Sequence, residues 1–417
     1  MYSFIRLALV TLASTYVAAG ETDFYAHKPR TVVVASKEQQ KTHAGLIELL
    51  QSYDHDVTVK QKADVFGVRM LGERIIDNLI ILDNTVDALA KSKVDGVQLM
   101  SYVDSGGNLL IAGGVETGAL FDQVARHAGF VTSPHNLQLV DHFVPHSFDS
   151  GNHQTIAVET AKANKAVLET DASALIYNGP ALKIARGKLS FAVLRAPSTS
   201  YAGAHCHGED CVLVGGMEAR NNARVLVVGS TDMLSDANAK ASKSNEVAQK
   251  SMMEWITMRK SVVRTRKVEV LSLAPKLEGA YTVMDEVEYA IELEELVNGE
   301  WVGFTGRSDL QMTYTRMDPF VTRDLTEAGD GRYFTRFSLP DVYGLFTFKV
   351  KYTAHGYSWV DEELTLVIKP LRNNMHQRWI PGAFPYYTSA LSMMGGVLAV
   401  SFVYLYHSDV PQKNKKV

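Results

Sequence analysis

The chain has 417 residues, a formal net charge of -4 and two cysteines. That length predicts two or three domains, each able to bury a core. The small charge offers no footing for a nucleic-acid partner, and so few cysteines exclude a scaffold built on disulfides, so stability must come from apolar packing.

The opening MYSFIRLALVTLASTYVAAG has the layout of a secretory signal over residues 1–20, with Arg6 early, an apolar run at 7–17 and the small residues Ala18, Ala19 and Gly20 after it. TVVVAS (31–36) then reads as a strand buried on both faces, and His43, Leu46, Ile47 and Leu50 fall on one side of a following helix. DVTVK, NLIILD (78–83), a helix at 94–103 and NLLIAGG (108–114) continue the alternation. The pattern predicts a parallel, doubly wound α/β domain over 21–140. No glycine-rich phosphate loop follows its first strand, which argues against a nucleotide. The layout is similar to the class I glutamine-amidotransferase-like fold, yet the turn AGGVETG (112–118) offers Val115 and Glu116, and neither a thiol nor a hydroxyl before Thr117. A nucleophile needs an ionisable side chain there, so this domain is expected to lack hydrolase machinery.

A histidine-rich stretch follows with His127, His135, His142, His146 and His153. His142 and His146 have the spacing of a helical metal motif, but Pro145 between them works against that helix. Cys206 and Cys211 lie in HCHGEDC, where two readings stand: a disulfide in an oxidising compartment, or a metal site with His205 and His207 whose spacing matches no standard finger. Residues 141–260 read as a second mixed α/β region. Its last helix, in SNEVAQKSMMEWITMRK, aligns Ala248, Met252, Trp255, Ile256 and Arg259 as a core stripe.

Near residue 261 the pattern changes to period two. VEYAIELEEL sets Val287, Tyr289, Ile291 and Leu293 against Glu288, Ala290, Glu292 and Glu294. DLQMTYTRM, RYFTRFSL, GLFTFKVKY and EELTLVIKP continue it, so some six or seven antiparallel strands over 261–372 predict a β-sandwich of immunoglobulin-like size. Residues 383–406 then run without a charge, long enough to cross a bilayer, with Tyr386, Tyr387, Tyr404 and Tyr406 at its two ends. Small residues recur four apart, Ser392 with Gly396 and Gly395 with Ala399, forming a face on which a second helix can pack in lipid. The tail 407–417 carries Lys413 and Lys415 in KNKKV, similar to a dilysine endoplasmic-reticulum retrieval signal. A type I single-pass protein is expected, with its bulk in the lumen and its C-terminus cytosolic.

MEARNNARVLVVGSTDMLSD (217–236), NEVAQKSMMEWI (245–256), RMDPFV (316–321), GDGRYFTRFSLPDVYGLFTFKVKY (329–352) and IPGAFPYYTSALSMM (380–394) resemble the 48-kDa subunit family of the eukaryotic oligosaccharyltransferase. LVDHFVPHSFDSGNHQT, with Asp141 and His142, is similar to the segment joining the first two parts of that family. The resemblance implies a non-catalytic subunit, with no catalytic residue, cofactor or metal of its own. The complex it would serve moves a preassembled oligosaccharide from dolichyl diphosphate to asparagine of N-x-S/T in nascent chains. Implied partners are a multispanning catalytic subunit, the small defender-against-death subunit, a ribophorin-type or equivalent subunit, and membrane lipid. The alternative is a stand-alone lumenal cargo receptor that binds glycan or peptide.

Overall fold

The computed structural model describes residues 28–408, leaving out 65–66, 71–72, 84, 86, 90–93, 135–136, 170–173, 186, 274–280, 298 and 377. The signal-like segment 1–20, His135, Lys413 and Lys415 lie outside the described residues.

The α/β body is built on β1 (Arg30–Val34), α1 (Lys37–Thr42), α2 (Ala44–Ser52), β2 (Asp56–Lys60), β3 (Asn78–Ile81), α3 (Gly96–Asp104), β4 (Asn108–Ala112) and α4 (Ala119–His127). The same body continues through β5 (Phe130–Thr132), β6 (Leu182–Ile184), β7 (Ser190–Arg195), β8 (Val212–Glu218), β9 (Arg224–Val228), α5 (Asp236–Ala241) and α6 (Lys243–Ile256). Alternate side chains of a strand point to opposite faces, and β1 is apolar on both. Val33 packs with Leu46 and Leu50 of α2 and with Met252 and Trp255 of α6, whereas Val32 and Val34 pack with Leu99 and Tyr102 of α3 and Phe121 of α4. Helices therefore cover both faces of the sheet.

Among the described residues, that sheet has nine strands in the order β2-β1-β3-β4-β9-β8-β6-β5, with β7 also paired to β8. Strands β2, β1, β3, β4 and β9 are parallel. Beyond them β8, β6, β7 and β5 pair antiparallel, and of these only β5 falls within the stretch 21–140 expected to be parallel. The cause is local. Only residues 219–223 join β8 to β9, closed by Asn222 N–H to Ala219 O with Asn222 at φ 64°, and so short a link can return the chain only antiparallel. Because β4 pairs with β9, one layer unites the stretches read as 21–140 and 141–260. Helix α6 stops at Ile256, and Arg259 leaves its stripe to lie over the Tyr53 ring, 4.7 Å from the centroid.

Among the described residues, the second body holds ten strands in two sheets of five. One contains β10 (Val263–Ser272), β12 (Glu286–Val297), β13 (Glu300–Gly303), β16 (Thr326–Gly329) and β17 (Arg332–Ser338). The other contains β11 (Tyr281–Thr282), β14 (Gln311–Thr315), β15 (Pro319–Asp324), β18 (Gly344–Tyr352) and β19 (Val360–Lys369). The sequence suggested six or seven strands, and the short β11, β13 and β16 account for the difference. Between the sheets, Tyr289 stacks on Phe348 at 5.5 Å and Tyr314 on Phe346 at 4.6 Å, so aromatic rings fill the sandwich core.

A polar seam joins the two bodies. The guanidinium of Arg224, fully buried, donates from Nη1 to Trp255 O and Lys260 O and from Nη2 to Ser261 O, each at 2.8 Å. Its Nε faces Glu218 Oε1 at 3.4 Å. From the sandwich side, Gly356 O accepts from Trp255 Nε1 at 2.8 Å, and Trp359 N donates to Asn222 Oδ1 at 2.8 Å. Past the sandwich, α7 (Phe384–Tyr406) stands clear of both bodies, with no side chain buried and all but Tyr387 exposed.

Candidate functional site

Ligands of open α/β sheets bind beyond the C-terminal ends of the strands, where the winding reverses. In this order of strands that place is between β1 and β3. Ser36, the first residue to cap α1, accepts from Gln39 N at 3.3 Å, while its own N–H donates to Gln39 Oε1 at 3.1 Å. The same side chain reaches across and donates from Nε2 to Leu82 O at 3.0 Å, so the crevice is bridged by the protein's own amide. Next to it, buried His43 has Nε2 3.1 Å from Thr231 O. Thr42 Oγ1 sits 2.9 Å from His43 Nδ1 and 3.2 Å from Gln39 O, the latter being the back-bonding habitual to helical threonines. Burial holds the Asp232 carboxyl above the usual range, against the pull of His43. The glycine turn after β4 is closely packed: a Cβ on Gly113 would lie 2.7 Å from the Phe121 ring. Val115 and Glu116 are exposed on that turn.

Cys206 and Cys211 are bonded to each other at S–S 2.04 Å, and both are buried. With its sulfurs joined, this pair has no thiolate to give His205 and His207 in a metal site. Among the described residues, no three His, Cys, Asp or Glu gather as metal ligands. His127 ends α4, and the rest of the histidine-rich stretch from Asp141 to Thr155 is a loop held by two carboxylates. Asp141 accepts from Phe143 N and Val144 N through Oδ1 and from Thr199 Oγ1 through Oδ2. Asp149 accepts the amides of Gly151, His153, Gln154 and Thr155, and these hold its carboxyl below the usual range, the His153 amide most. His142 and His146 share no helix. The first meets Tyr201 Oη at 3.1 Å and the edge of His153, and the second packs on Phe148.

Burial pushes Glu218 up to about 7 against the attraction of Arg224. Neither residue was singled out from sequence, although charges flanking an apolar run, as in GGMEARNNARVLVV, are a signal that such a pair has a buried task.

On α7, the hydroxyls of Thr388, Ser389 and Ser392 donate to Phe384 O, Tyr386 O and Ser389 O at 2.8–3.0 Å, so these three donors are satisfied within the helix, as a lipid environment requires. Ser392, Gly395, Gly396 and Ala399 are all exposed, and a Cβ added to either glycine would meet nothing within 4 Å. The helix is long and apolar enough to cross a membrane. Trp379 packs on Tyr387 with ring centroids 4.3 Å apart, and Ile380 N–H donates to Tyr387 Oη, folding the approach segment onto the first turn.

Comparison with known proteins places two matches end to end. The family described as "OST48, N-terminal domain" covers residues 23–259, and "OST48 middle domain" covers 266–408. The dolichyl-diphosphooligosaccharide–protein glycosyltransferase 48 kDa subunit of Drosophila melanogaster is 33% identical over 410 residues, 89% of this chain and 90% of the relative. The subunits of the same name from Caenorhabditis elegans and Danio rerio are 32% and 30% identical, each over 90% of this chain and 91% of the relative. Among solved structures, a β-glucosidase from Listeria innocua in complex with glucose overlays 84% of this chain and 47% of its own at 7% identity. Its TM-score of 0.16 carries no argument.

Proposed function

This chain belongs to the family of 48-kDa subunits of dolichyl-diphosphooligosaccharide–protein glycosyltransferase, and on that footing we propose that it is a non-catalytic scaffold of the complex. The complex transfers a preassembled oligosaccharide from dolichyl diphosphate to asparagine of N-x-S/T in nascent proteins. One observation carries the non-catalytic part: the crevice in which a ligand of such a sheet would sit is spanned by the Gln39 amide. Chemistry then belongs to a separate multispanning subunit.

In this reading α7 crosses the endoplasmic-reticulum membrane once, the two bodies lie in the lumen and residues 407–417 face the cytosol, with Lys413 and Lys415 as a retrieval signal. Ser392, Gly395, Gly396 and Ala399 form the face on which a partner helix packs, and their open surroundings support it. The partners are the catalytic subunit, the small defender-against-death subunit and a ribophorin-type or equivalent subunit. We read the α/β body as doubly wound and amidotransferase-like, and residues 261–372 as an immunoglobulin-like sandwich. The short parallel pairing of β11 with β19 supports the latter.

Affinity purification of the full chain in mild detergent tests the proposal. Co-recovery of the multispanning catalytic subunit is expected. A lone chain, stoichiometrically pure under conditions that keep the rest of the complex together, would overturn it.

A further inference from the structure

The outer face of the sandwich changes character along two paired strands. Leu345 faces Val367, then Thr347 faces Thr365 with hydroxyls 3.0 Å apart, Lys349 faces Glu363 at 2.7 Å and Lys351 faces Asp361 at 3.0 Å. The passage from aliphatic to hydroxyl to ion pair takes about 20 Å at the rise of an extended strand. Its ionic end lies toward the α/β body, next to Trp359 of the seam. Its aliphatic end lies where the chain leaves β19 for α7.

Three turns share that aliphatic end. Val283 N donates to Lys369 O and Leu339 N to Asp285 O, Gly344 pairs with Ile368, and Arg316 reaches Tyr343 O. These contacts gather Met284, Met317 and Tyr343 beside the exit point. Met317 is 92% exposed, and Met284 and Tyr343 are 63% exposed, on a surface that Leu345 and Val367 extend. Nearby charges are of both signs, Arg316 and Lys369 with Asp318 and Asp341, so apolar contact is what this end offers.

The tether decides what lies opposite. Trp379 and Ile380 are fastened to Tyr387 on the first turn of α7, the depth at which aromatic rings meet headgroups. Only residues 370–378 remain between that point and the sandwich, a reach of at most about 30 Å.

We propose that the exit end of the sandwich seats in the headgroup layer of the bilayer that α7 crosses, with lipid covering Met284, Met317, Tyr343, Leu345 and Val367. The proposal rests on α7 being a membrane span. The order of side chains along β18 and β19 then follows the polarity gradient of a membrane surface, and the α/β body is held at a fixed height above it.

The test uses the full chain in phosphatidylcholine nanodiscs, with one nitroxide at a time on Met317→Cys, Lys351→Cys or Val397→Cys and the native cysteines left bonded. Relaxation by oxygen, which concentrates in lipid, is compared with relaxation by a water-soluble nickel chelate. The ratio at 317 is expected to shift away from that at 351 and toward that at 397, without change on adding salt. An aqueous ratio at 317 with a lipid ratio at 397 overturns the seating and leaves the span intact. An aqueous ratio at 397 overturns both. Protection of 317 that appears only when other subunits are added also overturns the proposal and assigns the surface to protein.

Discussion

The two ends of the sandwich are held in opposite ways. At the α/β body a buried arginine, an indole N–H and an asparagine amide lock specific backbone atoms across the seam. Toward the anchor, exposed apolar turns and a short tether replace directed bonds. Directed polar contacts fix orientation because an unpaired buried group is costly, whereas apolar contact with lipid fixes depth and leaves lateral freedom. The chain is therefore rigid at the seam, and in the proposed seating it is compliant at the end that meets lipid.

Breaking the seam at its centre gives the largest effect. Arg224→Met leaves Glu218 buried without its cation and deletes the donor to Lys260 O, while Trp255 O and Ser261 O keep the N–H groups of Met258 and Ser358, so a loss of about 3–5 kcal/mol is expected. Thermal melting of the detergent-solubilised chain, with limited proteolysis around residue 261, reads it. Arg224→Lys should rescue little, since one ammonium cannot span all three acceptors.

Acidity probes the same place. Glu218 titrates near 7 in the folded chain, above its ordinary 4.5, so the native state keeps a proton that the unfolded state has lost. Stability should therefore be highest below about pH 4.5 as far as this group is concerned, fall as pH rises toward 7, and level off above; the span is on the order of 3 kcal/mol at most. Glu218→Gln should remove that slope, which melts at pH 5 and pH 8 compare directly. A slope unchanged in the variant would assign it to other groups.

Trp255→Phe keeps an aromatic ring but deletes the donor to Gly356 O together with part of the buried indole, at a cost of about 2–3 kcal/mol. The same change should loosen the sandwich without unfolding it, visible as faster amide exchange at 356–359. Replacing Gly395 and Gly396 by Leu should leave both melts unmoved while lowering recovery of the companion subunits on native gels. Full recovery would show that the soluble bodies alone hold the complex together.

Much of this was legible in the chain. Apolar runs such as TVVVAS and NLLIA become strands buried on both faces, and VEYAIELEEL packs Val287, Tyr289, Ile291 and Leu293 into the sandwich core, although Glu288 and Ala290 on its other face are buried too, Glu288 beneath Arg332 and Arg336. The charge-free segment is the exposed α7. Strand order was not legible, because the insertion of β9 beside β4 joins residues more than a hundred positions apart and leaves no local period. Nor was the Arg224 seam, since an arginine ahead of a strand looks the same whether it faces water or three carbonyls. The bridge across the crevice depended on Gln39, whose amide both closes a helix cap and reaches Leu82, a double use that spacing alone does not reveal.

The bond between Trp255 and Gly356 also sets a timetable. Its partners are 101 residues apart, so a ribosome adding about 5–20 residues per second leaves the indole waiting roughly 5–20 s for its acceptor. Throughout that interval the ring already packs in the α/β core against Phe191 and Arg224, and only its N–H edge is left open. Water must satisfy that donor until the sandwich has been made.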